Sequence, residues 1–515
     1  MQVKNIEKLV RVATIGAAIY LLCFAAAMAF FPLRPFWNDE WRLIYNIKFK
    51  DIAGLWGRLD LLQECPRTYL TALKIIGASF DYSYVSLRLP SLVIAVASVF
   101  FIFWLRKKLF PNGSVISYLF ILILISSQTF TDYLVQTKQY EMDIFLCLLA
   151  LWQLFTLLKY AKDIVPDKYQ YLLLCFTFLI VPYFSYVYPI TVAPIFPVIL
   201  LTSVIQWKGA GGKSWFSWRL FLPLLLVTIS IGIFYLIDVK NVMADKSMYV
   251  SYIRLCHNGI EPTFIENFWD LFALVGSGFA FESIFGVLGV AAFFYGMYSL
   301  AKTKASSYTT GDYFRLYAVL LLLLIIGLFI SGKLIGGVAR LTAYSVPSIS
   351  ILIISLLEDL KDRYSYPKIS NTITGILFLG LFGNIISTCI NSFTYPEYST
   401  RIKTYRNTAA ALKMARQEKI PIMVTEGVNG DPYEVDAAAP GRISTNNITP
   451  KQIEGVDTLA AEVIVKVNPE YKVWDTIPVY LVPDTKWAQE YVNQLPPEFK
   501  AAVVGDGINY RKVSK

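Results

Sequence analysis

Two carboxylates stand side by side in Phe36-Trp37-Asn38-Asp39-Glu40-Trp41. Such a pair can take a proton from a hydroxyl, orient it, or hold a cation. It follows the first long apolar run of the chain and is flanked by tryptophans, which favour a membrane surface. Charge at that depth has no packing role and points to function. More groups of this kind follow in Gln63-Glu64-Cys65-Pro66-Arg67-Thr68-Tyr69-Leu70, in Arg88-Leu89-Pro90-Ser91 and in Lys138-Gln139-Tyr140-Glu141-Met142-Asp143. Lys333 and Arg340 stand in a glycine-containing stretch further on. On a helix, Lys138 and Glu141 share one face at i, i+3, and Gln139 and Asp143 a neighbouring one at i, i+4. Plainer readings exist for several: Arg58, Arg88 and Arg340 as interfacial anchors, Lys138 with Glu141 as a surface ion pair.

What positions these groups is a membrane. Of 515 residues, 56% are hydrophobic and only 16% charged, with a mean hydropathy of +0.51; soluble domains carry roughly 25% charge. Continuous apolar runs near the length of a bilayer span recur, which argues for helices and against a β-barrel. About eleven spans are expected, near 12–31, 84–105, 114–130, 141–158, 169–187, 190–206, 219–237, 281–300, 316–331, 341–357 and 372–390. Pro189, Pro194 and Pro197 interrupt the sixth. The first run lacks a small-residue cleavage site and reads as a retained helix.

Basic residues set the orientation. Lys4, Lys8 and Arg11 place the N-terminus in the cytoplasm, and every short loop expected on that side carries Lys or Arg, from Arg106-Lys107-Lys108 to Lys361 and Arg363. These loops account for most of the net charge of +10, so no nucleic-acid partner is implied. All the chemistry-bearing groups above then fall on the outer face. Two stretches of the outer loop 32–83, around 41–47 and 52–59, read as helices lying in the interface, and a second outer loop near 238–280 holds Tyr249, Tyr252, Arg254 and Trp269. Six scattered cysteines and one histidine, His257, form no metal-ligand spacing. Cys65 and Cys256 both fall on outer loops, which leaves a disulfide between them open.

After the last span the composition turns soluble. Arg401–Lys419 and Trp487–Leu495 read as helices, Pro421–Thr425 and Ile477–Val482 as short strands, and Gly505-Asp506-Gly507 as a turn. The expected fold is therefore an all-α polytopic membrane protein of about eleven helices over 1–395, followed by a small extracytoplasmic α/β domain over 396–515.

The order of these motifs resembles the GT-C class of membrane glycosyltransferases, in its branch of protein O-mannosyltransferases and aminoarabinose transferases. The resemblance rests on Asp39-Glu40 opening a long outer loop, on Cys65-Pro66-Arg67-Thr68-Tyr69-Leu70 in place of a Pro-Pro-Leu-Tyr-type stretch, on Arg88-Leu89-Pro90-Ser91, and on Lys138-Gln139-Tyr140 to Asp143. It covers about residues 10–160, is topological to about 390, and does not reach the tail. It implies an inverting transfer of a monosaccharide from a polyprenyl-phosphate donor to a hydroxyl of a protein, lipid or glycan at the outer face of a bacterial inner membrane. In that scheme Asp39, supported by Glu40, takes the acceptor proton. Arg340, Lys138 and Arg58 hold the donor phosphate. Glu141, Asp143, Tyr69 and Arg67 contact the acceptor or support the site. No cofactor is required, and metal dependence is not expected. A transporter or lipid-linked-sugar flippase is the alternative, although no internal repeat is visible; a membrane scaffold would leave Asp39-Glu40 unexplained.

Overall fold

The computed structural model describes residues 3–30, 38–59, 63–80, 82–111, 114–161, 167–209, 218–240, 242, 262–276, 282–334, 339–364 and 366–394, and strands within 422–512. Helices α1 (Val3–Phe30), α2 (Asn38–Phe49), α3 (Ile52–Leu55), α4 (Arg67–Ser79) and α5 (Tyr84–Leu109) come first. They are followed by α6 (Tyr118–Ser126), α7 (Gln128–Tyr133), α8 (Tyr140–Ala161), α9 (Lys168–Ile180), α10 (Tyr188–Val192), α11 (Ile195–Gly209) and α12 (Trp218–Phe234). The rest are α13 (Phe264–Ala273), α14 (Glu282–Lys302), α15 (Thr310–Ile330), α16 (Ala339–Thr342), α17 (Val346–Asp362) and α18 (Pro367–Thr394). By contact the chain forms two compact units, each described by itself: Met1–Phe30, Glu64–Leu73 and Tyr84–Ile390 in the first, Phe31–Gln63, Lys74–Ser83 and Asn391–Lys515 in the second.

The first unit is a polytopic helical bundle. Among the described residues, nine helices are long and apolar enough to cross a membrane, and Val115–Ser126 and Lys168–Phe184 are shorter apolar helices. Each falls on one of the eleven runs read from the sequence. Pro189 and Pro347 sit in the first turns of α10 and α17, where no amide hydrogen is missed, and the chain turns at Ala193-Pro194 between α10 and α11, whereas Pro90 and Pro223 stand inside α5 and α12. Thr309 and Asp312 form a capping box on α15. Gly332, at φ 63°, closes the same helix: its amide and that of Lys333 reach back to the carbonyls of Phe329 and Leu328 at 3.0 and 2.9 Å.

Within a bilayer, helices associate through close packing and polar contacts instead of hydrophobicity. Both devices are present. Gly286, Gly289 and Gly296 line one face of α14, and a Cβ built on them would lie 2.9 Å from Trp269, 3.2 Å from Phe272 and 3.1 Å from Leu352. At the end of this helix group nearest Lys302, Arg315 donates to Ser299 Oγ at 2.6 Å and pairs with Asp359 Oδ2 at 3.0 Å. Tyr295 donates to the same Asp359 oxygen at 2.7 Å, so α14, α15 and α17 are tied together by one buried guanidinium.

The third expected span, 114–130, is not one continuous helix. All nine residues of α6 are buried, and the helix breaks at Ser127, whose extended backbone and side chain cap α7. Asn384 of α18 donates to the carbonyl of Ser126 at 2.6 Å, which satisfies a group freed by the break.

In the second unit, α2 covers the first of the two stretches of the outer loop expected to be helical, whereas of the second, 52–59, only Ile52–Leu55 is helical and the chain leaves the helix at Trp56-Gly57; Asp51 caps α3 by accepting from Gly54 N at 2.7 Å. Lys74 Nζ donates to the carbonyl of Ile47 at 2.8 Å, fastening the end of α4 to the end of α2. The described strands are β1 (Ile422–Thr425), β2 (Ile464–Val467), β3 (Val479–Val482), β4 (Phe499–Val504) and β5 (Gly507–Lys512). β1 pairs with β2 in parallel, and β3-β5-β4 form an antiparallel sheet. β1 and β3 match the two strands expected from sequence. The helices expected at 401–419 and 487–495, and residues Tyr249, Tyr252, Arg254, Cys256 and His257, lie outside the described residues.

Gly286→Leu forces new atoms into the Trp269 ring. It is expected to lower the unfolding free energy by about 1–3 kcal/mol, the usual cost of overpacking, seen as a lower unfolding temperature of the purified protein in detergent.

Candidate active site

The starts of α4, α5, α8 and α10 and the end of α12 meet at one end of the first unit, and they bring buried polar groups together there. α12 finishes in a π-helical turn, Tyr235–Val239. Such wide turns are uncommon and cluster at functional sites, because the added residue re-aims a side chain. The side chain in question is Asp238, 2% exposed. Its Oδ2 accepts from the backbone N–H of Arg67 at 2.9 Å, and its Oδ1 accepts from the Tyr186 hydroxyl at 2.9 Å with Arg67 Nε at 3.8 Å. Arg67 then reaches its own loop, donating to the carbonyl of Cys65 at 2.9 Å and to Glu64 Oε2 at 3.1 Å. Burial works against its charge, but its surroundings, Glu64 and Asp238 among them, more than offset this and hold its pKa above the ordinary guanidinium value.

The Cys65 thiol donates to Gln139 Oε1 at 3.2 Å. Lys138, Arg67, Asp143 and Asp238 all act on it electrostatically, which places these four ionisable groups around one point. Cys65 is a free thiol. Asp143, in the first turn of α8, accepts from Ser185 Oγ at 2.5 Å; Ser185 in turn accepts from the amides of Val187 and Tyr188 at 3.1 and 3.2 Å. The loop after α9 thus supplies the partner that a carboxylate at this depth needs. Tyr69 donates to the carbonyl of Lys138 at 3.2 Å.

The residues expected to act divide as follows. Lys138, Arg67, Tyr69 and Asp143 come together in the first unit. The pairing of Lys138 and Glu141 on one helical face is corrected: α8 begins at Tyr140, so Lys138 precedes it. Glu141 is no surface group either; it is 0% exposed, turned toward Ser98 of α5, and neither of its oxygens makes a hydrogen bond among the described residues. Arg340 lies in α16 and Asp39 in the first turn of α2, and their side chains lie outside what the structure describes. Glu40, buried in α2, and Arg58, exposed after α3, belong to the second unit. The carbonyl of Arg58 accepts from Lys50 Nζ at 3.1 Å. Asp238, Tyr186 and Ser185 were missed in the sequence. An Asp closing the apolar run of α12 was the one available signal, and a helix end explained it equally well. Among the described residues no group of three or more His, Cys, Asp or Glu side chains could hold a metal.

No family model matches the chain, and no curated protein does. Among solved structures, the chain aligns with ArnT from Cupriavidus metallidurans in the apo state at 12% identity, over 96% of this chain and 98% of that one, with a TM-score of 0.49. It also aligns with the Archaeoglobus fulgidus oligosaccharyltransferase tethered with an acceptor peptide containing the NVT sequon, at 12% identity, over 97% and 74% of the two chains, with a TM-score of 0.42.

Burial pushes the Cys65 thiol and the Tyr186 hydroxyl above their ordinary ranges. Both hold their protons more tightly folded than unfolded. Their contribution to stability is therefore complete below the ordinary thiol range and is lost as the pH rises above it. Maleimide modification of Cys65 at mildly alkaline pH is expected to be at least about tenfold slower in the folded protein than in denaturant, since the thiolate is the nucleophile. Peptide mass spectrometry after timed labelling reads this directly.

Proposed function

We propose that the protein is an inverting membrane glycosyltransferase, which moves a monosaccharide from a polyprenyl-phosphate donor to an acceptor hydroxyl at the extracytoplasmic face. The observation that carries this reading is the burial of Lys138 just before α8, near the same thiol as Arg67, Asp143 and Asp238. Holding an ammonium there is costly, and packing does not require it. A lipid phosphate leaving from a sugar gathers negative charge, and a fixed cation beside it lowers that barrier. The four ionisable groups around Cys65 gather where spans begin and end. A transporter, by contrast, is expected to place its ion and substrate site near the midplane, between repeats.

In this scheme the acceptor hydroxyl, a poor nucleophile, loses its proton to Asp39 as it attacks the anomeric carbon, while the bond to the lipid phosphate breaks on the opposite side. Glu40 supports Asp39. Arg340 and Arg58 join Lys138 in holding the phosphate, with the planar fork of arginine suited to two phosphate oxygens. Asp143 and Arg67 keep the surroundings of Lys138 in place through the hydrogen bonds described above. The transfer itself calls for no cofactor. The tail, with its soluble composition, is assigned to acceptor selection or closure of the site.

Asp39→Asn preserves shape and removes basicity. In purified folded protein supplied with labelled polyprenyl-phosphate sugars, turnover should fall by about 10²–10⁴. Arg340→Ala should weaken donor binding, and Arg340→Lys should restore only part of it. Unchanged turnover in Asp39→Asn would remove that residue from the mechanism. For the topology, an alkaline phosphatase fused after Lys515 is expected to be active in cells; a cytoplasmic fusion would overturn the outward orientation and the role given to the tail.

A further inference from the structure

The segment between α7 and α8 is a buried loop. Leu134, Val135, Gln136, Thr137, Lys138 and Gln139 are each at most 8% exposed, although no helical or strand ladder runs through Gln136–Gln139. Connections usually run over the surface, because a buried loop must find a partner for every backbone polar group. Here three of the carbonyls are met from three different helices. That of Gln139 accepts from Asp143 N at 2.9 Å, as the first turn of α8. That of Lys138 accepts from the Tyr69 hydroxyl on α4 at 3.2 Å. That of Gln136 accepts from Ser91 Oγ on α5. The side chain of Gln139 is held by the Cys65 thiol.

One of these braces, the Cys65 thiol, leaves from the strap that joins Glu64 to α4, and another, the Tyr69 hydroxyl, from the first turn of α4; the strap is itself pinned by Arg67 to Asp238, which Tyr186 also holds. On the reading of Lys138 as a donor ligand, we infer that Tyr69, Ser91 and Cys65 are positioning residues that fix the Gln136–Gln139 loop and so aim the Lys138 ammonium at the donor phosphate. None of the three has to touch substrate. What each supplies is the backbone course that a short helix-to-helix loop cannot hold by itself. The inference makes Arg67 and Asp238 part of the same device, one step further from the phosphate.

The experiment is a double-mutant cycle in the full-length protein, with donor KM, acceptor KM, kcat and unfolding temperature measured for each variant. Tyr69→Phe keeps the ring and removes the hydroxyl. It is expected to raise donor KM about fivefold, with acceptor KM and unfolding temperature nearly unchanged, and to add nothing further in the Lys138→Ala background. Cys65→Ala should act in the same direction, and Cys65→Ser, which keeps a donor to Gln139, should restore most of the loss. If Lys138→Ala raises donor KM but Tyr69→Phe has the same effect with and without Lys138, or no effect on donor KM, the inference is overturned while the reading of Lys138 stands. If Lys138→Ala leaves donor KM unchanged, that reading fails and takes the inference with it. Should Tyr69→Phe not fold, Ser91→Ala and the Cys65 pair carry the same comparison.

Discussion

A charge taken out of water inside a membrane protein has to be met by another group where it stands, and the polar end of the bundle is organised around meeting one such charge. Asp238 accepts from two donors, the amide of Arg67 and the Tyr186 hydroxyl, and faces the Arg67 guanidinium as an ion pair at 3.8 Å. The wide turn at the end of α12 turns the carboxylate toward them. Once Arg67 is held there, the strap from Glu64 onward has a fixed course. The Cys65 thiol and the Tyr69 hydroxyl then meet the loop that carries Lys138. Removing one partner of such an arrangement leaves the other buried and uncompensated, which is why its members are costlier to change than a surface pair.

The opposite end of the bundle obeys the same constraint with different residues. Arg315, Asp359, Tyr295 and Ser299 join α14, α15 and α17, where the glycine face of α14 has already brought backbones close. Close approach and buried ion pairing reinforce each other: small side chains let the helices come near, and the guanidinium then reaches across. The polar end is held more by loop and terminal residues, which permits it to carry chemistry-bearing groups in place of packing ones.

Much of the first unit was legible in the sequence, because hydropathy reports length and length reports spans. Even the two helices too short to count as spans, Val115–Ser126 and Lys168–Phe184, lay under apolar runs. Hydropathy could not report the break at Ser127, since the residues on either side stay apolar or neutral and the cause is a capping serine with an asparagine from α18. Periodicity placed Lys138 and Glu141 on one helical face, but the helix starts later. The chain between α7 and α8 follows side chains contributed from positions 65, 69 and 91, information absent from any local window. The pairing of Arg67 with Asp238 spans 171 residues and could not be inferred from spacing. Arg67, Tyr69 and Asp143 stood in motifs that the sequence singled out; Asp238, Tyr186 and Ser185, which meet Arg67 and Asp143, gave no such sign.

The helix α6 has one more consequence, for how the chain reaches its membrane. At about 1.5 Å per residue its nine residues rise roughly 13 Å, less than half of the ~30 Å hydrocarbon layer. None of them faces lipid in the finished protein. A segment of that length has no stable place in a bilayer by itself, with the freed carbonyl of Ser126 unmet. It must wait for its surroundings, and the last of these, Asn384, is made some 258 residues later. Biogenesis of this protein therefore cannot be a simple procession of spans in the order of translation: an early segment is settled only when the helix that carries Asn384 arrives.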